Sequence, residues 1–205
     1  MPPDHRRSDA AANTDRIVTA ARLLFAREGA GATLSKVAAA AGVSEATLYR
    51  HFPNRQALAV AVFQEIFDRD VRTAILDLDL DRTSLRQMVL DIIDDFATTM
   101  MHQSELLSSI DGLAAVTARF MTRDSARLED LIARTKAVRL IRADVTAEEA
   151  ATLIAMIVAS AVQMNLPRGP RRRYLALAFD ALTPPASEQS DFRRRPQRHA
   201  GPVKP

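Results

Sequence analysis

Residues 34–53, LSKVAAAAGVSEATLYRHFP, set two short helices and the turn between them at a tightly constrained spacing. Val37, Ala38 and Ala41 are small or apolar where a first helix must lie on a second. Gly42 falls where the turn needs left-handed backbone, which glycine adopts at no steric penalty. Val43 then closes the junction, Ser44 is placed to cap the second helix, and Leu48 points back to the core. Held this way, the second helix offers Glu45, Ala46, Thr47 and Arg50 to a DNA major groove. A plain αα-hairpin is the competing reading, since alanine-rich helix pairs are common. The fit at every position that geometry constrains favours the helix-turn-helix.

The flanking residues extend the pattern. Thr33 is placed to cap the first helix, and Tyr49, His51 and Arg55 gather around the end of the second. A phenol, an imidazole and a guanidinium there suit phosphate oxygens, fixing register without reading sequence. Asn54 caps the following helix, whose free N–H groups also suit a phosphate. In these residues the chain closely resembles the tetracycline-repressor (TetR) family. Thr33 to Leu58 match that family's pattern TxxxVAxxAGVSxxTLYxHFPxRxAL with hardly a departure. The resemblance covers residues from about 14 to 60 and beyond that extends only to helix order and length. It implies a DNA-binding transcriptional regulator, most often a repressor, acting as a homodimer on a pseudo-palindromic double-stranded operator.

Helical periodicity runs almost the whole way, with no convincing strand alternation. An all-α fold of about nine helices is expected, the count the resemblance also implies. Thr14 is read as the cap of a first helix carrying Ile17, Ala21, Leu24 and Phe25 and ending at Gly29. Asn54 opens a longer helix that fades into the acidic stretch DLDLDRTS. Met88, Ile92, Phe96 and Met100 share a face of the next. One helix from Ser104, interrupted only at Gly112, carries Leu106, Ile110, Leu113, Thr117 and Phe120, and Leu128, Leu131 and Ile132 follow in another. Thr146 caps an apolar helix with Glu148 and Glu149 well placed against its dipole. Gly169-Pro170 starts the last one, because proline suits the first helical turn. The expected domains are a disordered arm 1–13, a DNA-binding domain 14–60, a ligand-binding and dimerisation domain 61–183, and a disordered Pro/Arg-rich tail 184–205. Arg6 and Arg7 in the arm are candidates to follow a minor groove.

Net charge is +3, but its distribution is uneven. Residues 1–55 carry eight Lys/Arg against five Asp/Glu, residues 56–165 eleven against seventeen, and residues 166–205 nine against three. The motif-bearing end is thus drawn to polyphosphate and the middle is repelled by it. The chain has no cysteine, so it has no disulfide framework and no thiolate metal site, as fits a cytoplasmic protein. Neither a signal-peptide core nor an apolar run of bilayer length is visible, so no membrane association is expected.

Catalytic patterns are missing. The histidines at 5, 51, 102 and 199 are scattered, no phosphate-cradling glycine loop occurs, and no enzyme or cofactor is indicated. Asp91, Asp94 and Asp95 have a spacing that can hold a divalent ion, but a solvated face is the preferred reading. A pocket for a small apolar effector is expected among Met88, Ile92, Phe96, Met100, Gln103, Ile110, Leu113, Phe120, Met156 and Ser160, whose methionines make adaptable walls. Residues 146–165 and 170–182 are apolar on two sides each, so one side is free to meet a twin subunit; the resemblance implies a four-helix dimer interface there. A DNA-binding architectural or assembly factor without an effector is the alternative.

Overall fold

The computed structural model describes residues 4–76, 85–123 and 125–185. Among these no strand occurs. Helix α1 (Asp4–Glu28) leads through a 3-10 turn (Gly29–Gly31) into α2 (Leu34–Ala41) and α3 (Glu45–His51). Helix α4 (Arg55–Ile66) runs on through a π-helical turn (Phe67–Arg72) into α5 (Thr73–Leu76), giving one rod from residue 55 to 76. The second half comprises α6 (Leu85–His102), α7 (Ser104–Leu107), α8 (Leu113–Thr122), α9 (Ser125–Ala137), α10 (Ala147–Gln163) and α11 (Arg168–Leu182).

Three boundaries differ from the sequence reading. Helix α1 begins at Asp4, so the arm expected at 1–13 is helical from residue 4. Thr14 lies inside that helix, its hydroxyl donating to the Ala10 carbonyl, because the intervening alanines propagate helix well. The single helix expected from Ser104 is split: Gly112 takes a left-handed φ of 66° and starts α8 afresh, which adds one helix to the expected nine. Helix α11 starts at Arg168, with Pro170 in its first turn, where a missing N–H is no loss. The acidic stretch 77–84, the side chains of Arg6 and Arg7, and the tail from 186 onward lie outside the described residues.

One core joins both halves. Ile17, Ala21 and Phe25 of α1 meet Val37, Ala38 and Leu48 of the motif and Leu58, Val62 and Ile66 of the rod. The same cluster continues into Phe96, Met100, Leu113 and Val158. At its centre Phe63 and Phe67 of the rod pack on Phe96 and Phe120, with ring centroids 5.4–6.3 Å apart. Such edge and tilted contacts contribute about 0.5–1.5 kcal/mol each beyond area burial. A smaller separate cluster holds Ile132, Ile141, Val145, Ala150 and Leu182.

Candidate nucleic-acid interface and helical cavity

The turn between α2 and α3 is set by backbone chemistry. Gly42 sits at φ 65°, its N–H donates to the Ala39 carbonyl, and the Val43 N–H reaches Ala38. This is a Schellman closure, which satisfies the carbonyls left free at a helix end. A methyl group on Gly42 would touch nothing within 4 Å, so the left-handed φ alone is what disfavours other residues there. Thr33 caps α2 by accepting from Lys36 N, Ser44 caps α3 by accepting from Thr47 N, and Asn54 caps the rod by accepting from Ala57 N. Leu48 is fully buried beneath α3, so the opposite face must be exposed.

That face divides into committed and uncommitted side chains. Glu45 accepts a hydrogen bond from Ser35 of α2, and the Thr47 and Ser44 hydroxyls lie 2.9 Å apart. Both therefore stiffen the motif besides facing outward. His51 Nδ1 lies 3.1 Å from the Thr14 hydroxyl, tying the end of α3 to α1. Ala46, Tyr49 and Arg50 are exposed, and Arg50 makes no hydrogen bond or ion pair with any described residue. These three form the free patch of the recognition surface.

Arg55 is placed differently from the phosphate contact expected of it. Its Nε donates to the Ser109 hydroxyl and its Nη2 to the Glu105 carbonyl, both at 2.9 Å, while the guanidinium lies 4.6 Å from the Phe25 ring centre. The cause is the short α7 turn, which brings Glu105 and Ser109 against the start of the rod. Gln103, expected in the ligand pocket, is buried at the same junction and donates to the Arg22 carbonyl of α1. Arg22 in turn pairs with Glu65 of the rod at 3.0 Å. These contacts join the helix-turn-helix to the rest of the chain.

The second half holds an apolar cavity of about 90 Å³ between α6, α8, α9, α10 and α11, with Phe67 and Val71 of the π-helical turn in its wall. Of the residues expected to line a pocket, Ile92 and Phe96 do so. Met88 is only partly buried and lies outside it. Met100 and Phe120 are buried in the core beside it, and Ile110 and Leu113 flank a different groove, next to α7. Met156 and Ser160 are exposed, because α10 turns Ala151, Ala155, Val158 and Val162 inward instead. The sequence reading missed the α9 side of the cavity, Leu128, Ile132 and Thr135.

Of the aspartates on α6, Asp95 lies on a solvated face as expected and Asp91 is partly exposed, but Asp94 is not on that face. Asp94 is fully buried and accepts from Arg171, itself 3% exposed, at 2.7 Å and from Arg168 at 2.9 Å. Asp91 pairs with Arg172, and Asp95 lies 3.4 Å from Arg168. Arg172 beside Asp91 holds that carboxyl below its ordinary range. Among the described residues no group of His, Cys, Asp or Glu could hold a metal ion. Complementary i, i+3, i+4 spacing (91, 94, 95 against 168, 171, 172) is the sequence signal that could have revealed this seam.

Residues 17–62 match the family model of bacterial regulatory proteins, tetR family. The chain is 33% identical over 108 residues to the nucleoid occlusion factor SlmA of Shewanella amazonensis, covering 52% of this chain and 54% of that protein. It is 32% identical over 124 residues to the HTH-type transcriptional regulator AlkX of Mycobacterium tuberculosis, covering 56% and 59%. The matches thus span little more than half the length of either relative. Among solved structures, a TetR transcriptional regulator from Streptomyces coelicolor is 26% identical, with a TM-score of 0.52 over 84% of this chain and 99% of that one. RolR in complex with resorcinol aligns at a TM-score of 0.61 over 92% and 96%, with 18% identity, and so shares the fold. No helix among the described residues is long and apolar enough to cross a membrane.

Proposed function

From the premise that this is a TetR-family transcriptional regulator with residues 17–62 as its DNA-binding domain, we propose that it is a ligand-responsive repressor that binds a pseudo-palindromic operator as a homodimer. The observation that carries the reading is the exposed, uncommitted patch of Ala46, Tyr49 and Arg50 on a helix otherwise locked by Ser44, Glu45 and Leu48. Arg50 is the base reader, since a guanidinium grips guanine through two acceptors with about 1–3 kcal/mol of discrimination. Tyr49 is the phosphate partner beside it.

Dimerisation is supported by a second surface. Met156 and Met164 of α10 and its C-cap are 52% and 68% exposed, and Tyr174 and Leu177 of α11 are 51% and 54% exposed. Leu175, Phe179 and Leu182 occupy the buried side of α11. Large apolar groups on two adjacent helices suit a self-complementary contact between two copies. Two copies of α3 then face two half-sites.

The effector acts through the rod. Its first turn follows α3 directly, and its π-helical turn puts Phe67 and Val71 in the cavity wall. A ligand that displaces those side chains tilts the rod and changes the separation of the two α3 helices. It releases DNA only as far as it prefers that spacing; 100-fold preference, about 2.7 kcal/mol, suffices at limiting protein. RolR bound to resorcinol offers the precedent of a small molecule held in this fold.

The test is operator selection from random sequence, then affinity at matched salt. Arg50→Ala should relax preference at one base position per half-site, and Tyr49→Phe should weaken all sequences alike. Unchanged base preference in Arg50→Ala would remove the reader assignment. The SlmA relative favours a second reading, an architectural or assembly factor on DNA. Operator occupancy that no cavity ligand alters would decide for it.

A further inference from the structure

The cavity that supports ligand response also limits what the ligand can be, and the inference rests on that reading of the site. Its wall contains no titratable side chain among the described residues. The polar groups in it are two hydroxyls, and both are already donating: Thr117 to the Leu113 carbonyl and Thr135 to the Ile132 carbonyl, each at 2.8 Å. A threonine oxygen that donates within its own helix can still accept. The wall therefore offers a guest two weak acceptors and no side-chain donor.

Two cations near the wall are paired with acids of their own. Arg86 lies 5.6 Å from the centre of the Phe179 ring, a wall residue, but its Nη2 pairs with Asp180 at 2.5 Å. Arg123, at the end of α8, is held by Asp68 at 2.9 Å. A carboxylate or an ammonium entering here would exchange water for hydrocarbon, and the described wall residues supply no opposite charge to either. The neutral alcohol meets no such penalty while burying the same alkyl chain.

The cavity lies between the main core and the smaller cluster of Ile132, Ile141, Ala150 and Leu182. Ile132 places α9 in the smaller cluster, so a shift of α9 parts only apolar contacts of that cluster and leaves the main core packed. A guest larger than the resting 90 Å³ can thus enter without exposing buried polar groups.

We propose that this cavity takes an uncharged, hydrocarbon-like molecule bearing at most a hydroxyl group, and rejects carboxylates and ammonium ions of the same chain length. The experiment titrates full-length protein with octan-1-ol, octanoate and octylamine at neutral pH, each below its aggregation limit, following heat. Octan-1-ol should bind at least tenfold more tightly than either charged homologue. Binding of octanoate or octylamine within tenfold of the alcohol, or no binding of the alcohol, overturns the proposal. Ala151→Leu and Ile92→Phe both fill the cavity, and whichever retains wild-type helicity should lose octan-1-ol binding tenfold or more. Undiminished binding in such a variant places the guest elsewhere and also overturns it. Operator affinity is read separately. Alcohol bound without DNA release removes the effector role and leaves the ligand class standing; octanoate bound with DNA release does the opposite.

Discussion

The turn between α2 and α3 and the seam between α6 and α11 both hold two helices in a fixed relation, and they do it by opposite means. In the turn, the contacts that set its geometry span a few residues: a left-handed glycine, two backbone bonds and the caps of Thr33 and Ser44. In the seam, Asp94 and Arg171 are 77 positions apart and both are buried. Local devices of the first kind contribute about 1 kcal/mol each and degrade gradually. A buried ion pair is different: removing one partner strands the other charge in a medium that cannot solvate it. The head, α2 and α3, is thus a surface that tolerates redesign, and the body, α6 to α11, is a lock that fails abruptly.

The largest expected effect tests that contrast directly. Asp94→Ala should cost about 3–5 kcal/mol in denaturant unfolding, because Arg171 keeps only neutral partners in Thr98, Met101 and Leu166. Replacing both, Asp94→Leu with Arg171→Met, should recover most of that loss. A double variant as unstable as the single one would show that the network, rather than the stranded charge, carries the stability. Gly42→Ala comes next, at about 1–2 kcal/mol from the left-handed φ alone. Operator affinity should fall with it, since the angle between α2 and α3 moves.

Arg55 lies between the two regimes and sharpens the comparison. Bonded to Ser109 and Glu105, it joins the helix-turn-helix to α7, which leaves its guanidinium less free for a phosphate than the sequence suggests. Arg55→Ala should therefore leave the slope of log affinity against log salt unchanged. A slope lowered by about one unit would restore the phosphate role. Ser109→Ala should cost about 0.5–1.5 kcal/mol of stability for the lost bond, with the same unchanged slope.

How far each region could be read from sequence follows the same division. Thr33, Gly42, Ser44 and Asn54 act on neighbours within five positions, so their roles stand in the order of residues. The fold class follows from periodicity for the same reason. Arg55, Gln103 and Asp94 look like a phosphate ligand, a pocket residue and a surface acid along the chain. Their partners lie 50, 81 and 77 positions away, at distances no local pattern encodes. The methionines misled in another way. Met156 falls on an apolar helix, but α10 is apolar all round, and periodicity alone cannot say which side a neighbour covers.

The smallest effect concerns the side-chain cap at the start of α10, built like those of the helix-turn-helix. Thr146 accepts from Glu149 N at 3.1 Å, and Glu149 Oε2 accepts from Thr146 N at 2.8 Å, closing a reciprocal box at the start of α10. The backbone N–H of Thr146 favours the ionised carboxylate and lowers the Glu149 pKa below its ordinary value of 4.5. A carboxyl whose folded pKa is depressed contributes stability that is fully present above its unfolded pKa. That contribution disappears as pH falls through the lower folded value. Glu149→Ala should therefore be less stable than wild type at neutral pH, and the gap should narrow below about 4.5. Parallel urea titrations at neutral and acidic pH measure it. A gap independent of pH would mean that the box acts through packing alone and that the charge at the helix start contributes nothing. In that event the body would owe its electrostatic stabilisation to the Asp–Arg seam, and the contrast with the head would become sharper still.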